Sequence, residues 1–486
     1  MAAAYRAMRR DDMWYRGDPR ELMRAHEWSE QHPRMRGDTG RRRLLGRRRD
    51  DEALYPSKRE QRIHVPLAGD IASTSADLLF GDMPAIRCTT PATQDRLDTL
   101  LDEARVQHVL LSAAEQASAI SGVFLRATWD KETIPDRPIP DVVQADQAVP
   151  EWRWGMLRAV TFWRQLPGDG SQTVHRHLER HEAGRIEHGL YEGTHDNLGR
   201  RVPLTEHPDT AALVDSLGPD GVSIETGIQR LTAVYVPNML PNRLHRSSPM
   251  GRSDYAAPIY DQFDALDTAW TSWMRDLRLA RSRLVVPESY LQNLGPGQGA
   301  AFDDEREIYS GLKVPPTEAG AGITIAQFQI RVAEHSQTVD SIIRQAARSA
   351  GYAARSFGLD SNGAAATATE VDSEDQRTKT TTKKKAGYWR YGLADFCEVL
   401  LDLDRAQFTR ALAVERPTVT FHPVQESPLS RATTIEMLNR AQAVSAETRV
   451  RMRSPELDDT EVQAEVARIL AETGQGAPDP VGSFPM

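Results

Sequence analysis

Ile259, Phe263, Leu266, Trp270, Trp273 and Leu277 recur at alternating intervals of four and three in "DYAAPIYDQFDALDTAWTSWMRDLRLARSRLVVP". That interval places them on one face of a helix, and no strand has such a period. The run predicts a helix of about 30 residues, a rod of roughly 45 Å at 1.5 Å rise. Its acids (Asp254, Asp261, Asp264, Asp267) come early and its bases (Arg275, Arg278, Arg281, Arg283) late, as the helix dipole favours. Val332, His335, Val339, Ile342 and Ala346 repeat the pattern, and this second helix reaches about Phe357. Between the two struts, residues 285 to 328 read as a small irregular module, with a loop "LGPGQGAAFDDEREIY" and an alternating strand "GITIAQFQI". A lone subunit cannot bury the apolar stripes of two such struts.

The rest of the chain is arranged around the struts. "IHVPLAGDIASTSADLLFGDMPAI" predicts a helix carrying Ile71, Leu78 and Leu79 that Gly81 and Pro84 stop. A second helix is expected from about Gln94 to Ala119. From Gly122 to about Val236 the period changes to two: "GVFLRATW", "DVVQADQAV", "MLRAVTFWRQL", "TVHRHLERHEAGRIEHGLYEG" and "IQRLTAVYVPN" read as strands, closed off by Pro237 and Pro241. Beyond the second strut, "GLDSNGAAATATEVDSEDQ" has no large apolar side chain between Leu359 and Val371, so it cannot bury itself and reads as a loop. A third long helix is expected from about Thr369 to Asp404. A strand, "RPTVTFHPV", returns toward the β-rich part. Two amphipathic tail helices follow, one with Ile435, Leu438 and Ala441, the other with Val462, Val466, Ile469 and Leu470 behind an Asp459/Thr460 cap. Past Gly474 the composition predicts disorder. Runs of strand and runs of helix in separate stretches make the fold class α+β.

A net charge of −9 argues against a protein that coats nucleic acid through bulk positive charge. The arginine-rich run from Arg34 to Arg49 reads either as a phosphate-contacting arm or as a solvated or subunit-contacting segment, since acids flank it on both sides. Cys88 and Cys397 alone give no disulfide framework and fit a reducing cytosol. The opening "MAAAYRAMRRDDMW" carries charges where a signal peptide needs its apolar stretch, and no run of about 18 apolar residues predicts a membrane span. A protein soluble and intracellular when made is the expectation.

Catalytic signatures are missing. The sequence holds no Gly-Lys pair, which a phosphate-cradling loop requires at its end, and neither HExxH nor GxSxG. In "GPGQG" (Gly295, Gly297, Gly299) the last spacing is wrong for a dinucleotide turn and no helix pattern follows. His175, His177 and His181 would share one face of a strand and so offer a zinc-like set, or they sit on an exposed hairpin turning at Glu182–Gly184 whose faces are both polar. Asp303, Asp304, Glu305 and Glu307 are either a divalent-ion set or a solvated acidic edge. Lys383, Lys384 and Lys385 wrap most of a helix turn, facing phosphates or forming a solvated or inter-subunit face. No metal, no other cofactor and no catalytic residue is expected.

Five stretches in this order resemble the portal proteins of tailed bacteriophages of the siphophage type. They are "IASTSADLLFGDMPAI", "RIEHGLYEG", "GRSDY…DALDTAWTSWMRDLRLARSRLVVP", "TATEVDSEDQRTKTTTKKK" and "AVSAETRVRMRSPELDDTEVQAEVARI", which together span nearly the whole chain. The resemblance implies a portal fold: a wing over residues 1–253 (β-rich from about 122), a stem helix over 254–284 and a small α/β clip over 285–328. A second stem helix follows over 329–357, a tunnel loop over 358–367, a return to the wing over 368–424 and a helical crown with a flexible tail over 425–486. It implies a head–tail connector ring, twelve copies in the virion, at one capsid vertex. Through that ring viral DNA is packaged and ejected, and on it the large terminase and the head–tail adaptor dock. Double-stranded DNA without sequence preference, the major capsid and scaffolding proteins and further copies of the chain complete the implied partners, and no membrane is among them. The virion, and the host cytoplasm during assembly, are the implied locations. On this reading Leu359, Asp360, Ser361, Asn362, Gly363 and Ala364 face the DNA channel, and Phe263, Leu266, Trp270, Trp273, Val339 and Ile342 form the subunit interface of the stem. Two other classes remain open to the residues alone: a divalent-ion-dependent nucleic-acid-processing enzyme using the Asp303–Glu307 acids, and a monomeric structural adaptor.

Overall fold

The computed structural model describes residues 2–22, 62–168, 172–255, 259–280, 283–285, 292–293, 300–301, 324–326, 330–359, 368–421, 435–441, 444–454 and 459–473. Its elements begin with α1 (Ala2–Arg16), α2 (Leu67–Phe80), β1 (Ala85–Arg87), α3 (Pro91–Glu103) and α4 (Val106–Ile120). The strands β2 (Gly122–Thr128), β3 (Ile139–Gln144), β4 (Ala148–Arg153), β5 (Met156–Gln165) and β6 (Val174–Glu182) follow. Then come β7 (Arg185–Thr194), β8 (Asn197–Val202), β9 (Ser223–Glu225) and β10 (Ala233–Pro237). After α5 (Ile259–Leu279) lie the short strands β11 (Arg283–Val285), β12 (Gln292–Asn293), β13 (Ala300–Ala301) and β14 (Thr324–Ala326). The chain ends with α6 (Val332–Ala350), α7 (Ala368–Phe408), β15 (Thr418–Thr420), α8 (Ala446–Arg453) and α9 (Asp459–Thr473). Helix and sheet occupy separate stretches, the expected α+β class. No helix among the described residues is long and apolar enough to cross a membrane.

Two compact units divide the chain. The first comprises Met1–Met8, Ala72–Asp254 and Gly351–Met486. Its larger sheet runs β4-β5-β6-β7-β8, with β9 on β7, and a second sheet runs β10-β2-β3. The expected β6–β7 turn is present: Glu182 pairs with Arg185, and Gly184, the second of the two turn residues, takes left-handed backbone at φ 90°, open to it because it has no Cβ. The apolar face of α7 (Trp389, Leu393, Phe396, Leu400) packs with Phe80, Leu97, Leu110 and Leu125 into the main core. Phe80 meets Trp389 edge-on at 4.9 Å, a favoured aromatic geometry. Arg96 of α3 grips the fully buried Asp404 of α7 with two bonds, at 2.8 and 2.9 Å.

Two readings are corrected in this unit. The helix expected from Gln94 to Ala119 is two helices, broken at Arg105, whose φ of 49° no helix interior tolerates. The strand in "RPTVTFHPV" does not join the larger sheets. β15 pairs with β1, Val419 opposite Ile86, and both side chains are buried. Residues 2–16 form α1, and Ala4 and Met8, one turn apart, are buried. The run from Arg34 to Arg49 lies outside the described residues.

The second unit comprises Arg9–Ile71 and Tyr255–Ala350. Here α5 and α6 pack antiparallel: Gln262 reaches Ser349 near one end, and Asp276 reaches His335 near the other. Of the predicted α5 stripe, Ile259, Phe263 and Leu266 are fully buried, so a lone subunit does bury this half; Trp270 and Trp273 are half-buried and Leu277 is exposed. Trp14 lies 5.4 Å from Phe263, ring to ring, and Tyr255 5.8 Å. Asp267, also buried, accepts from the backbone N–H of Val65 at 2.9 Å and meets His64 Nδ1 at 2.9 Å. α5 has 21 residues rather than about 30, and α6 has 19, ending before Gly351. Asp254, placed by its charge at the head of the strut, instead sits buried in the first unit. Between the helices, β11 pairs with β14 and β12 with β13, both antiparallel.

Candidate channel segment

Thr378, Thr381, Thr382 and Lys385 follow helical spacing on α7, and all four are buried. This polar stripe receives the chain that leaves the first residues of the unit's last segment. Thr381 Oγ1 donates to the carbonyl of Gly351 at 2.7 Å, and Thr378 Oγ1 accepts from the N–H of Ala353 at 2.8 Å. Lys385 Nζ donates to the Tyr352 hydroxyl at 2.9 Å. Gly351 can lie this close only because it has no Cβ and takes φ +100°; an added Cβ would meet Thr381 Oγ1 at 2.9 Å. A 3-10 turn over Ala354–Phe357 follows, closed by Gly358 at φ 73°, and Leu359 is half-buried. The chain is therefore held against α7 at Gly351, Tyr352 and Ala353, and the 3-10 turn carries it on to residue 359. Asp360, Ser361, Asn362, Gly363 and Ala364 lie outside the described residues.

Lys385 corrects the expectation of a solvated lysine face. Lys383 and Lys384 are exposed, but Lys385 is 1 % exposed. Its three donors reach Ser75 Oγ at 2.7 Å, Asp254 Oδ2 at 2.5 Å and Tyr352. Burial pulls its pKa below the ordinary lysine value, against the opposing pull of Asp254. Asp254 is itself held by Ser118 Oγ at 2.7 Å and Asn238 Nδ2 at 2.8 Å. The spacing in "TKTTTKKK" was a readable signal of a polar face; that the face is buried depends on partners far away in the chain.

In the second unit the six residues expected at a subunit interface divide into two groups. Phe263, Leu266 and Val339 are buried within the single chain, whereas Trp270, Trp273 and Ile342 are half-buried. Trp273 stacks on His335 at 5.8 Å with planes 6° apart. Asp276 sits below the usual carboxylate range because it accepts from His335 and Arg331. A groove of about 620 Å³ runs between α5 and α6, lined by Asp261, Gln262, Glu334, Gln337, Ser341 and Ile342 among others. Its charged lining residues are acids.

The histidines are not on an exposed hairpin either. His177 and His181 are buried, and His188 of β7, which the sequence did not single out, is buried beside them. His175 lies apart, its ring 5.7 Å from that of His207. His181 Nε2 meets Glu179 at 2.7 Å and its Nδ1 meets Thr232 Oγ1 at 2.5 Å; Arg126 of β2 donates to Glu179 at 2.7 Å. Burial pulls His177 down to about 4 and lowers His188 as well. Burial alone would raise Glu179, but Arg126 and His181 outweigh it and hold the carboxylate ionised. Asp303, Asp304, Glu305 and Glu307 lie outside the described residues.

Among known families, the chain matches the phage portal proteins described as SPP1 Gp6-like, over residues 171–479. That stretch contains β6 through α9 and so includes both long helices, the anchored segment and the polar stripe of α7. No curated protein matches the chain.

Proposed function

The chain belongs to the family of SPP1 Gp6-like phage portal proteins, and from that premise we propose that it acts as a closed ring at one capsid vertex, a conduit for viral DNA. The role is structural rather than catalytic. Twelve copies surround the channel, and the segment between residues 359 and 368 faces it. The large terminase docks on the module between α5 and α6 during packaging, and the head–tail adaptor takes its place afterwards. Capsid and scaffolding proteins contact the outside.

The observation that carries this reading is the anchoring of Gly351, Tyr352 and Ala353 on the buried polar stripe of α7. A loop that meets a moving duplex needs fixed arms and a tip without strong phosphate contacts. The sequence between the arms, "DSNGAAAT", has no cation. Phosphate contacts are sequence-blind and strong, so a conduit must avoid them where DNA slides. The acidic lining of the α5–α6 groove and the net charge of −9 fit the same requirement.

Purified protein viewed end-on in the electron microscope, with its mass from light scattering, tests the ring. The expected particle has a central hole of about 20 Å or more, wide enough for a duplex whose major groove alone spans about 12 Å. Monomer at every salt concentration and at high protein concentration would refute it. Replacing Asp360, Ser361 and Asn362 together by arginine tests the channel assignment. Rings of normal size that bind DNA tightly, with steep salt dependence, and capsids that fill poorly are expected. Normal filling places that segment elsewhere.

A further inference from the structure

The buried face of the β6–β7 hairpin carries chemistry that DNA passage does not use. His177 and Glu179 are two apart on β6 and share a face, and Glu179 stands in register opposite His188 of β7. His177 Nε2 faces His188 Nδ1 at 3.1 Å, with the rings 6° from parallel. These two nitrogens and a carboxylate oxygen of Glu179 all lie within 4.8 Å of one another. We propose that His177, Glu179 and His188 form a binding site for one divalent transition-metal ion of the zinc type in each subunit.

The donor set selects the metal. Two imidazoles and one carboxylate suit Zn²⁺, whereas Mg²⁺ and Ca²⁺ want oxygen ligands throughout. Ligand atoms about 2.0–2.2 Å from a tetrahedral ion stand roughly 3.3 Å from each other. The histidine pair is already near that separation, and a side-chain torsion brings the carboxylate in. In the ion-free pair one imidazole donates its N–H to the other. Shifting that proton to the donor's second ring nitrogen turns both facing nitrogens into acceptors, with no net loss of a proton.

The neighbours permit this. Glu179 holds His181 and Arg126 with two of about four acceptor positions on its carboxylate, leaving capacity for an ion. Arg126 can release Glu179 and still keep Asp141, to which it gives two bonds from Nε and Nη2. His181, pinned by Thr232, orients the carboxylate as supporting residues do in metal sites. A cavity of about 190 Å³ opens onto His177 and Glu179 and has room for a water as fourth ligand. An ion here would staple β6 to β7 in the middle of the larger sheet.

The test uses untagged full-length protein, stripped with chelator, dialysed and titrated with Co²⁺ as a visible probe. One Co²⁺ per chain with the absorption of a four-coordinate site, displaced by Zn²⁺ but not by Mg²⁺, is expected, together with a melting temperature raised by Zn²⁺. His188→Gln and Glu179→Gln should weaken Co²⁺ binding at least tenfold, and His175→Gln, away from the cluster, should leave it unchanged. Equal binding by wild type and His188→Gln overturns the site. So does the absence of Co²⁺ binding by the wild type, which means a cluster held by hydrogen bonds alone and which decides the matter even where a variant fails to fold.

Discussion

The ammonium of Lys385 stands 2.5 Å from the carboxylate of Asp254, and neither side chain is more than 1 % exposed. Four separate stretches of chain meet at this pair, through Ser75, Asp254, Tyr352 and Lys385. Asp254 is the residue at which the chain leaves the first unit, and Tyr352 follows the residue at which it returns. A buried ion pair adds little stability over apolar residues of the same shape, but a broken one is costly. Loss of either partner therefore leaves an uncompensated charge where these four stretches meet.

Lys385→Met strands the Asp254 charge and should destabilise the protein by about 3–5 kcal/mol. Asp254→Leu strands the ammonium at a similar cost. The double variant leaves neither charge, so its loss should fall well short of the sum. Denaturant melts of the four proteins measure the coupling. Additive losses would show that the two side chains act independently.

Gly351→Ala should cost about 1–3 kcal/mol, since it forces a side chain into left-handed backbone against Thr381. The shift of the unfolding midpoint reports it. A loss below about 0.5 kcal/mol, the range of ordinary surface changes, would mean that the return into the first unit is not held in this conformation.

How far the sequence reached depends on the range of the force concerned. The first half of the α5 stripe was legible because Ile259, Phe263 and Leu266 obey a local period, and the β6–β7 turn because Gly184 offers the positive φ that other residues rarely adopt. Lys385 and His188 were not legible. Each looks solvent-facing by its own neighbours and is buried by segments more than a hundred residues away or on the next strand. Arg105 shows a third case: nothing in "DEARVQHV" marks a break, because that break is imposed by how α3 and α4 pack. Of the candidate channel, the loop composition was readable in advance, and the buried threonines that hold its arm were visible only as a spacing.

Asp11 should make stability depend on pH. Burial pushes its pKa from 3.8 up to about 8, although Tyr260's hydroxyl bond and Arg10 pull the other way. The folded chain keeps a proton that the unfolded chain loses above about pH 4. Stability from this group is therefore full at low pH and declines as pH rises from about 4 to about 8, by at most about 1.4 kcal/mol per pH unit. Asp11→Asn removes the titration. Its advantage over wild type in urea melts should grow from near zero at pH 4 to a plateau above pH 8. A constant difference across that window would contradict the assignment.

The two halves of the apolar stripe on α5 and α6 should give opposite phenotypes. Phe263 is 2 % exposed and packed against Trp14 and Tyr255, so Phe263→Ala removes core contacts and should cost about 3–5 kcal/mol in the subunit itself. Ile342 is half-buried on the rim of the α5–α6 groove, where a lone subunit has little to lose. Ile342→Lys should leave circular dichroism and the melting midpoint nearly as they are, within about 0.5 kcal/mol. In a ring that covers this rim the same lysine would have to leave water and displace the packing of Ile342, at a cost of several kcal/mol per interface. Light scattering should then show a folded monomer in place of the ring. A ring of normal mass from Ile342→Lys would put the subunit interface on another face of these helices.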